Sequence, residues 1–400
     1  MLEYRLIGGV GMVLAIWSHE RKRLYPAVSA IVACAVFAGM LFFLLHYQTD
    51  VAIMRCKQDA SVAGSSAPCY KKLILDTYAR SGLPSAIALV QKISDEDPLF
   101  QAYCHTTMHN LGRTAYTSFH RTKELDITEG LSYCNYGFYH AFMEQMLVQS
   151  GGVAEAKDFC ELVGRKLNSR SAVSNCYHGI GHGLSSEPLS LDDPVKMAAP
   201  GLAVCRSIAT ESDIERSCAM GVFNSIELLY GNPRYRLSYP ASPFDLCNSN
   251  RYSDNEKKAC YLEMSVLAGD MSKGIFSTAL SYTASVPVEY QSYAVSYIAL
   301  YWHSGAAYDP QAVIDGCRNI LPDFIDACII GVAREMKVYG PPGNIYGPVI
   351  AFYKRTTLAP ADKALFLSTI LGADVQGTAE QQSVCEQFPP EMRRAPPCSH

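Results

Sequence analysis

From residue 56 onward the cysteines of this chain come in pairs, and the spacing within a pair hardly changes. Cys56 and Cys69, Cys205 and Cys218, Cys247 and Cys260, and Cys385 and Cys398 are each thirteen positions apart. Cys160 and Cys176 are sixteen apart, and Cys317 and Cys328 eleven. The second cysteine opens a recurring phrase: Cys134-Asn-Tyr-Gly137-Phe138-Tyr-His140, Cys176-Tyr-His-Gly179-Ile180-Gly-His182, Cys218-Ala-Met-Gly221-Val222-Phe-Asn224 and Cys328-Ile-Ile-Gly331-Val332-Ala-Arg334. Such a period marks a repeat architecture, in which each unit buries its apolar face against its neighbours and the chain grows by units rather than domains.

The same spacing proposes a disulfide framework. Of fifteen cysteines, Cys34 lies in an apolar segment, which leaves fourteen, an even number. Six bridges join the pairs above, and the two cysteines left over, Cys104 and Cys134, pair with each other. Each short loop closed in this way contributes roughly 3 kcal/mol in the chain-entropy account. Thiolate metal binding is the weaker reading, because the C-x₂-C spacing of zinc sites never occurs.

Disulfides persist outside the cytoplasm, and the N-terminus agrees with that compartment. Ala27 to Tyr47 (AVSAIVACAVFAGMLFFLLHY) carries no charge, and at ~1.5 Å per residue it is long enough to span a hydrocarbon core of ~30 Å. His19, Arg21, Lys22 and Arg23 precede it, so the positive-inside rule puts the N-terminus in the cytoplasm and the bulk in the periplasmic or extracellular space. No small-residue cleavage site follows, so the segment reads as an uncleaved signal anchor of a single-pass membrane protein. Leu6 to Trp17 is a shorter apolar run, suited to an interfacial piece or half of a membrane hairpin. The expected division is a cytoplasmic segment over 1–26, a transmembrane anchor over 27–48 and an extracytoplasmic, cysteine-rich repeat domain over 49–400. A net charge of -4, with the two signs interspersed, supplies no basic stripe and excludes nucleic acid as a partner.

Apolar residues recur at helical spacing after the second cysteines, as in Phe138–Leu147 and Phe223–Leu229, and strand-like alternation is scarce. The fold class is therefore all-α: disulfide-stapled helical hairpins forming an α/α solenoid or toroid behind one transmembrane helix. Each bridge is expected to tie the end of one helix to the start of the next. Wider spacing after Cys247 predicts extra helices within Tyr261–His303.

Histidine supplies the candidate chemistry. His105 and His109, His140 and Glu144, and His178 and His182 each stand at i,i+4, one turn apart on one helical face, an arrangement that grips a metal from two points. The repeat places His140 and His182 at the same offset, six after the second cysteine, with Asn224 at the next equivalent position. His105, His109, His140, His178 and His182 are the candidate ligands for one or two ions of zinc, iron or copper. Glu144 is a further ligand or a general base acting on a metal-bound water. Gly179, Gly181 and Gly183 each cost a helix roughly 1 kcal/mol relative to alanine. Either close approach of a neighbouring backbone or room for a ligand accounts for them. Asn224 and Glu227 read as an exposed amide and acid, and His120, His303 and His400 as surface or capping residues.

A second function class stands beside the metalloprotein. A non-catalytic repeat scaffold could bind a protein, peptide or glycan on its concave face with structural histidines. Tyr290, Tyr293, Tyr297 and Tyr301 form a stripe at helical spacing that reads as a packing face or as an aromatic platform for such a ligand. No phosphate-binding glycine loop, G-x-S-x-G, H-E-x-x-H or haem-attachment motif is present.

Overall fold

A computed structural model describes residues 49–58, 65–150, 152–185, 193–230, 232, 237–302, 309–338, 346–372, 379–396 and 398. The segments 27–47 and 6–17, with Cys34, His303 and His400, lie outside the described residues. Among the described residues no helix is long and apolar enough to cross a membrane. The chain divides into two units, 1–70 and 71–400. In the first, helical residues 49–58 carry Cys56, which is bridged to Cys69 in the opening turn of α1 (Ala67–Glu96). Further along, α1 kinks where Gly82 takes a positive φ of 80° two residues ahead of Pro84, whose ring cannot continue a straight helix.

The second unit is helical, and one row organises it. Helices α2 (Gln101–Thr122), α3 (Gly137–Ser150), α5 (Arg170–Leu184), α7 (Ser212–Glu227), α8 (Asp254–Met271), α10 (Val288–Tyr301), α12 (Ile325–Val338) and α14 (Pro360–Leu371) pack in this order, each against the next. Flanking helices lie beside the row: α4 (Val153–Leu167) on α5, α6 (Pro194–Ile208) on α7, and α11 (Pro310–Ile320) on α12. The short α9 (Phe276–Ser281) packs on α11, and α13 (Tyr346–Arg355) on α12. Thus α9 and α10 supply the extra helices expected within Tyr261–His303. Helices α15 (Ala379–Gln387) and α16 (Pro390–Arg393) follow, the second a single short turn in the proline-rich tail.

Local chemistry starts these helices. Ser169 accepts from the Ala172 amide at the head of α5, and Ser253 and Glu256 close a reciprocal capping box at the head of α8. Asp193 before Pro194 and Asp309 before Pro310 cap α6 and α11, each with proline at the position that needs no amide donor. The apolar filling is aromatic near α3, where Phe142 packs against Tyr116, Phe119, Phe138 and Phe159 at ring separations of 4.7–5.5 Å.

All seven expected disulfides form: Cys56–Cys69, Cys104–Cys134, Cys160–Cys176, Cys205–Cys218, Cys247–Cys260, Cys317–Cys328 and Cys385–Cys398. Their position within the helices differs from expectation in part. Cys69 and Cys328 lie in the opening turns of α1 and α12, as expected, and Cys134 stands just ahead of α3. Cys176, Cys218 and Cys260 do not mark a helix start, because α5, α7 and α8 open six residues earlier (170 to 176, 212 to 218, 254 to 260). At α5 and α8 the serine caps decide the start, and the bridge then clamps the row helix to its flanking element nearly two turns in.

Glycines set the spacing of the row. A Cβ on Gly181 would run into the Cys218 carbonyl, and one on Gly221 into the His178 carbonyl, so α5 and α7 meet backbone to backbone. On the other side of α5, a Cβ on Gly179 would stand 2.8 Å from the Tyr139 carbonyl oxygen of α3, and one on Gly137 of α3 would stand 2.6 Å from the His105 carbonyl oxygen of α2. Close backbone approach therefore accounts for Gly179 and Gly181. A cavity of about 620 Å³ is lined both by 129–136, near the head of the row, and by residues of α10, α12 and α14 at its far end.

Candidate metal centre

The glycine contacts bring α2, α3 and α5 so near that side chains one turn from the seam must meet. Those side chains are the five histidines. The rings of His105 and His109 on α2 lie 4.6 Å apart, and each is within 5.2–5.3 Å of His140 on α3. His140 stacks nearly parallel on His178 at 4.7 Å and on His182 at 5.4 Å, both from α5. His182 also stands edge-on to His109 at 6.1 Å. Three pairings that are separate in sequence thus form one patch of imidazole, with His140 touching all four others.

Protons can be assigned at one ring. His105 Nδ1 lies 3.0 Å from the Cys134 carbonyl oxygen, which can only accept, so Nδ1 carries the proton and Nε2 keeps its lone pair. That nitrogen is 3.0 Å from His109 Nε2, which is in turn 3.3 Å from His140 Nδ1. A neutral His109 has at most one proton on Nε2 and cannot serve both neighbours. Ligand atoms of these three residues all lie within 4.8 Å of one another. Imidazole nitrogens that share one tetrahedral ion at ~2.0–2.1 Å stand ~3.3 Å apart, close to the two shorter separations here. His105, His109 and His140 could therefore hold a metal ion, with the Cys134 carbonyl fixing the tautomer as an outer partner does in such centres.

His182 has a different deficit. It is only 8% exposed, and neither Nδ1 nor Nε2 has a hydrogen-bond partner among the described residues. A buried polar group left unpaired costs roughly 1–3 kcal/mol, so a ring with both nitrogens idle needs a reason.

Burial keeps all five rings neutral, the form that binds metal. Desolvation comes first in each case, followed for four of them by the other histidines. It lowers His109 to about 2, His178 to about 3 and His182 to about 4, and takes His140 well below its ordinary range. His105 is lowered too, against the opposing pull of the Cys134 and Asn135 carbonyls.

The remaining candidates are placed differently. Glu144, one turn past His140, pairs its carboxylate with Arg113 at 3.4 Å, while its backbone lies under Gly183. His120 ends α2, exposed, with Nδ1 3.2 Å from the Tyr116 hydroxyl. Asn224 and Glu227 are not the exposed pair expected from sequence. Glu227 is buried and its carboxyl is pushed up to about 8 by desolvation and by Asp270. Asn224 donates to Glu263 at 3.3 Å. Glu263 itself was no sequence candidate; it is 1% exposed, one of its oxygens has no partner, and burial beside Glu227 raises it well above the carboxylate range. The phrase contained a signal for it: the third position after Cys134, Cys176, Cys218 and Cys328 is glycine, and after Cys260 it is Glu263.

The tyrosine stripe splits in two. Tyr290 stacks on Tyr261 at 5.0 Å and donates to Asp254, and Tyr293 takes Lys258 over its ring. Tyr297 and Tyr301, 5.5 Å apart, line the cavity instead. With this geometry in hand, comparison with known proteins adds no assignment: no protein-family model, no curated protein and no solved structure matches the chain.

Proposed function

We propose that the protein is a membrane-anchored, extracytoplasmic metal-binding protein whose centre is built from His105, His109, His140, His178 and His182. One observation carries the reading: five neutral imidazoles from three helices converge, two buried and three half-buried, and His182 has no partner at either nitrogen among the described residues. An all-nitrogen donor set of this kind suits zinc, copper or iron rather than calcium or magnesium, which take oxygen. His105, His109 and His140 form the primary set for one ion; His178 and His182 complete it or reach a second. Glu144, whose carboxylate would first have to leave Arg113, is the candidate base for a metal-bound water. The seven disulfides support an oxidising compartment, and the uncharged stretch 27–47 supplies the anchor. The cavity shared by the two ends of the helical row favours a closed toroid over an open solenoid.

Elemental analysis of the oxidatively folded, full-length protein in mild detergent tests the proposal against a His178→Ala/His182→Ala variant. Stoichiometric zinc, copper or iron in the parent, reduced or lost in the variant, is the expected result. No metal in the parent after incubation with each ion, and unchanged melting in the variant, would leave the histidines as packing residues and sink the reading.

A further inference from the structure

We infer that the 620 Å³ cavity is a binding site for a small acidic carbohydrate, distinct from the histidine centre and independent of the metal reading. Its volume lies within the range of ~300–1,000 Å³ typical of small-molecule sites. Three features of its wall point to the ligand class. Arg334 and Lys337, three residues apart on α12, bring two cations to one side of the cavity. Arg334 is exposed and has no carboxylate partner among the described residues, and Glu129 is the one carboxylate of the described wall. This side of the cavity therefore suits an anion, and a guanidinium matches a planar carboxylate in particular.

The second feature is aromatic. Tyr133, Tyr136, Tyr297 and Tyr301 line the cavity from two distant parts of the row, offering ring faces that cover C–H surface and hydroxyls that can exchange hydrogen bonds. Asn135, Ser171 and Asn175 add amide and hydroxyl groups, and the Tyr136 hydroxyl already lies 3.1 Å from Ser171 Oγ. Aromatic faces set among short polar groups match a ring whose faces are C–H and whose rim is hydroxyl. A peptide is the poorer fit, since strand addition needs a sheet edge, and among the described residues the only β pairing is the isolated Tyr230–Leu237 bridge.

The third feature is backbone. Cys134, Asn135 and Tyr136 take φ of 56°, 54° and 59°, three consecutive non-glycine residues in the left-handed region. A residue with a Cβ is strained in this conformation, and such strain is concentrated at functional sites. This turn forms part of the cavity wall with Asn135 and Tyr136, and its Cys134 carbonyl holds His105 on the other side.

Titration calorimetry of the full-length protein with digalacturonate, the neutral disaccharide galactobiose and a tripeptide of equal charge tests the inference. Digalacturonate should bind at least ~10-fold more tightly than either of the others, and Arg334→Gln/Lys337→Gln should weaken it by ~10-fold or more, as loss of charge-assisted bonds requires. Asn175→Leu, at the α5 part of the lining, should also weaken it and serves as a second probe if the first variant does not fold. Binding should persist in His178→Ala/His182→Ala, which separates this site from the metal centre. Equal affinity for the neutral sugar, tighter binding of the tripeptide, or folded variants with unchanged affinity would overturn the inference.

Discussion

His182 and Glu227 illustrate how single residues set the pH response of this molecule, in opposite directions. Burial holds the histidines below their unfolded value of about 6.5, with His182 near 4 and His178 near 3. Between those values and 6.5 the unfolded chain binds more protons, so the stability due to neutral histidines is complete above 6.5 and is lost as pH falls below it. For Glu227 the folded value is raised to about 8 from an ordinary 4.5. Here the folded chain holds the extra proton, so stability is lost as pH rises between 4.5 and 8. In chelator-treated protein, thermal melting against pH should therefore show two limbs. Replacing His182 by leucine should flatten the acid limb, and Glu227→Gln should gain on the parent from about pH 5 to about pH 8. Parallel curves for parent and variants would show that neither residue titrates as its burial demands. At this scale the sequence was partly legible. Helical i,i+4 spacing and a shared offset found all five histidines, because both are periodic. Glu263 and the Cys134 carbonyl escaped, since one departs from the period and the other is a backbone atom no residue type announces.

Between elements, contact depends on missing side chains. Gly181 and Gly221 let α5 and α7 touch backbone to backbone, and adding a methyl at either would force the helices apart. Gly181→Ala and Gly221→Ala should each cost roughly 2–4 kcal/mol by urea unfolding, the range expected when overpacking meets rigid backbone. Gly269 in α8 is the matched control: a Cβ there meets nothing within 4 Å. Gly269→Ala should stabilise by roughly 0.5–1 kcal/mol through helix propensity alone. Equal effects at the three positions would mean that propensity, not the seam, explains the glycines. The three glycines of α5 prompted two readings from sequence, neighbouring backbone or ligand space. Only the pairing of Gly181 with Cys218 and Gly221 with His178 decides between them. Helix starts were less legible, because a cysteine six residues inside a helix is more conspicuous than the serine that caps it.

Across the whole molecule, crosslinks are local and the row is continuous, so damage should stay near its origin. Removing Cys385–Cys398 by a double alanine substitution should leave hydrogen-exchange protection of α2, α3 and α5 unchanged. Removing Cys160–Cys176 should release α4 and α5 and cost roughly 2–4 kcal/mol. Loss of protection across every helix in both variants would mean the repeats fold as one cooperative block. The all-helical plan and the bridges could be read from spacing because each unit restates them. The cavity could not, since it joins residues near 130 to residues near 300 and 370, and no local pattern records a meeting of residues so far apart in sequence.

The order of the bridges has a consequence for biogenesis. From Cys56 onward every cysteine pairs with the next one in the chain, and the widest loop spans 30 residues. A chain threading outward from its N-terminus can therefore be oxidised in the order in which its thiols emerge. Each unit can be sealed before the next arrives, and the final set requires no early bond to be broken.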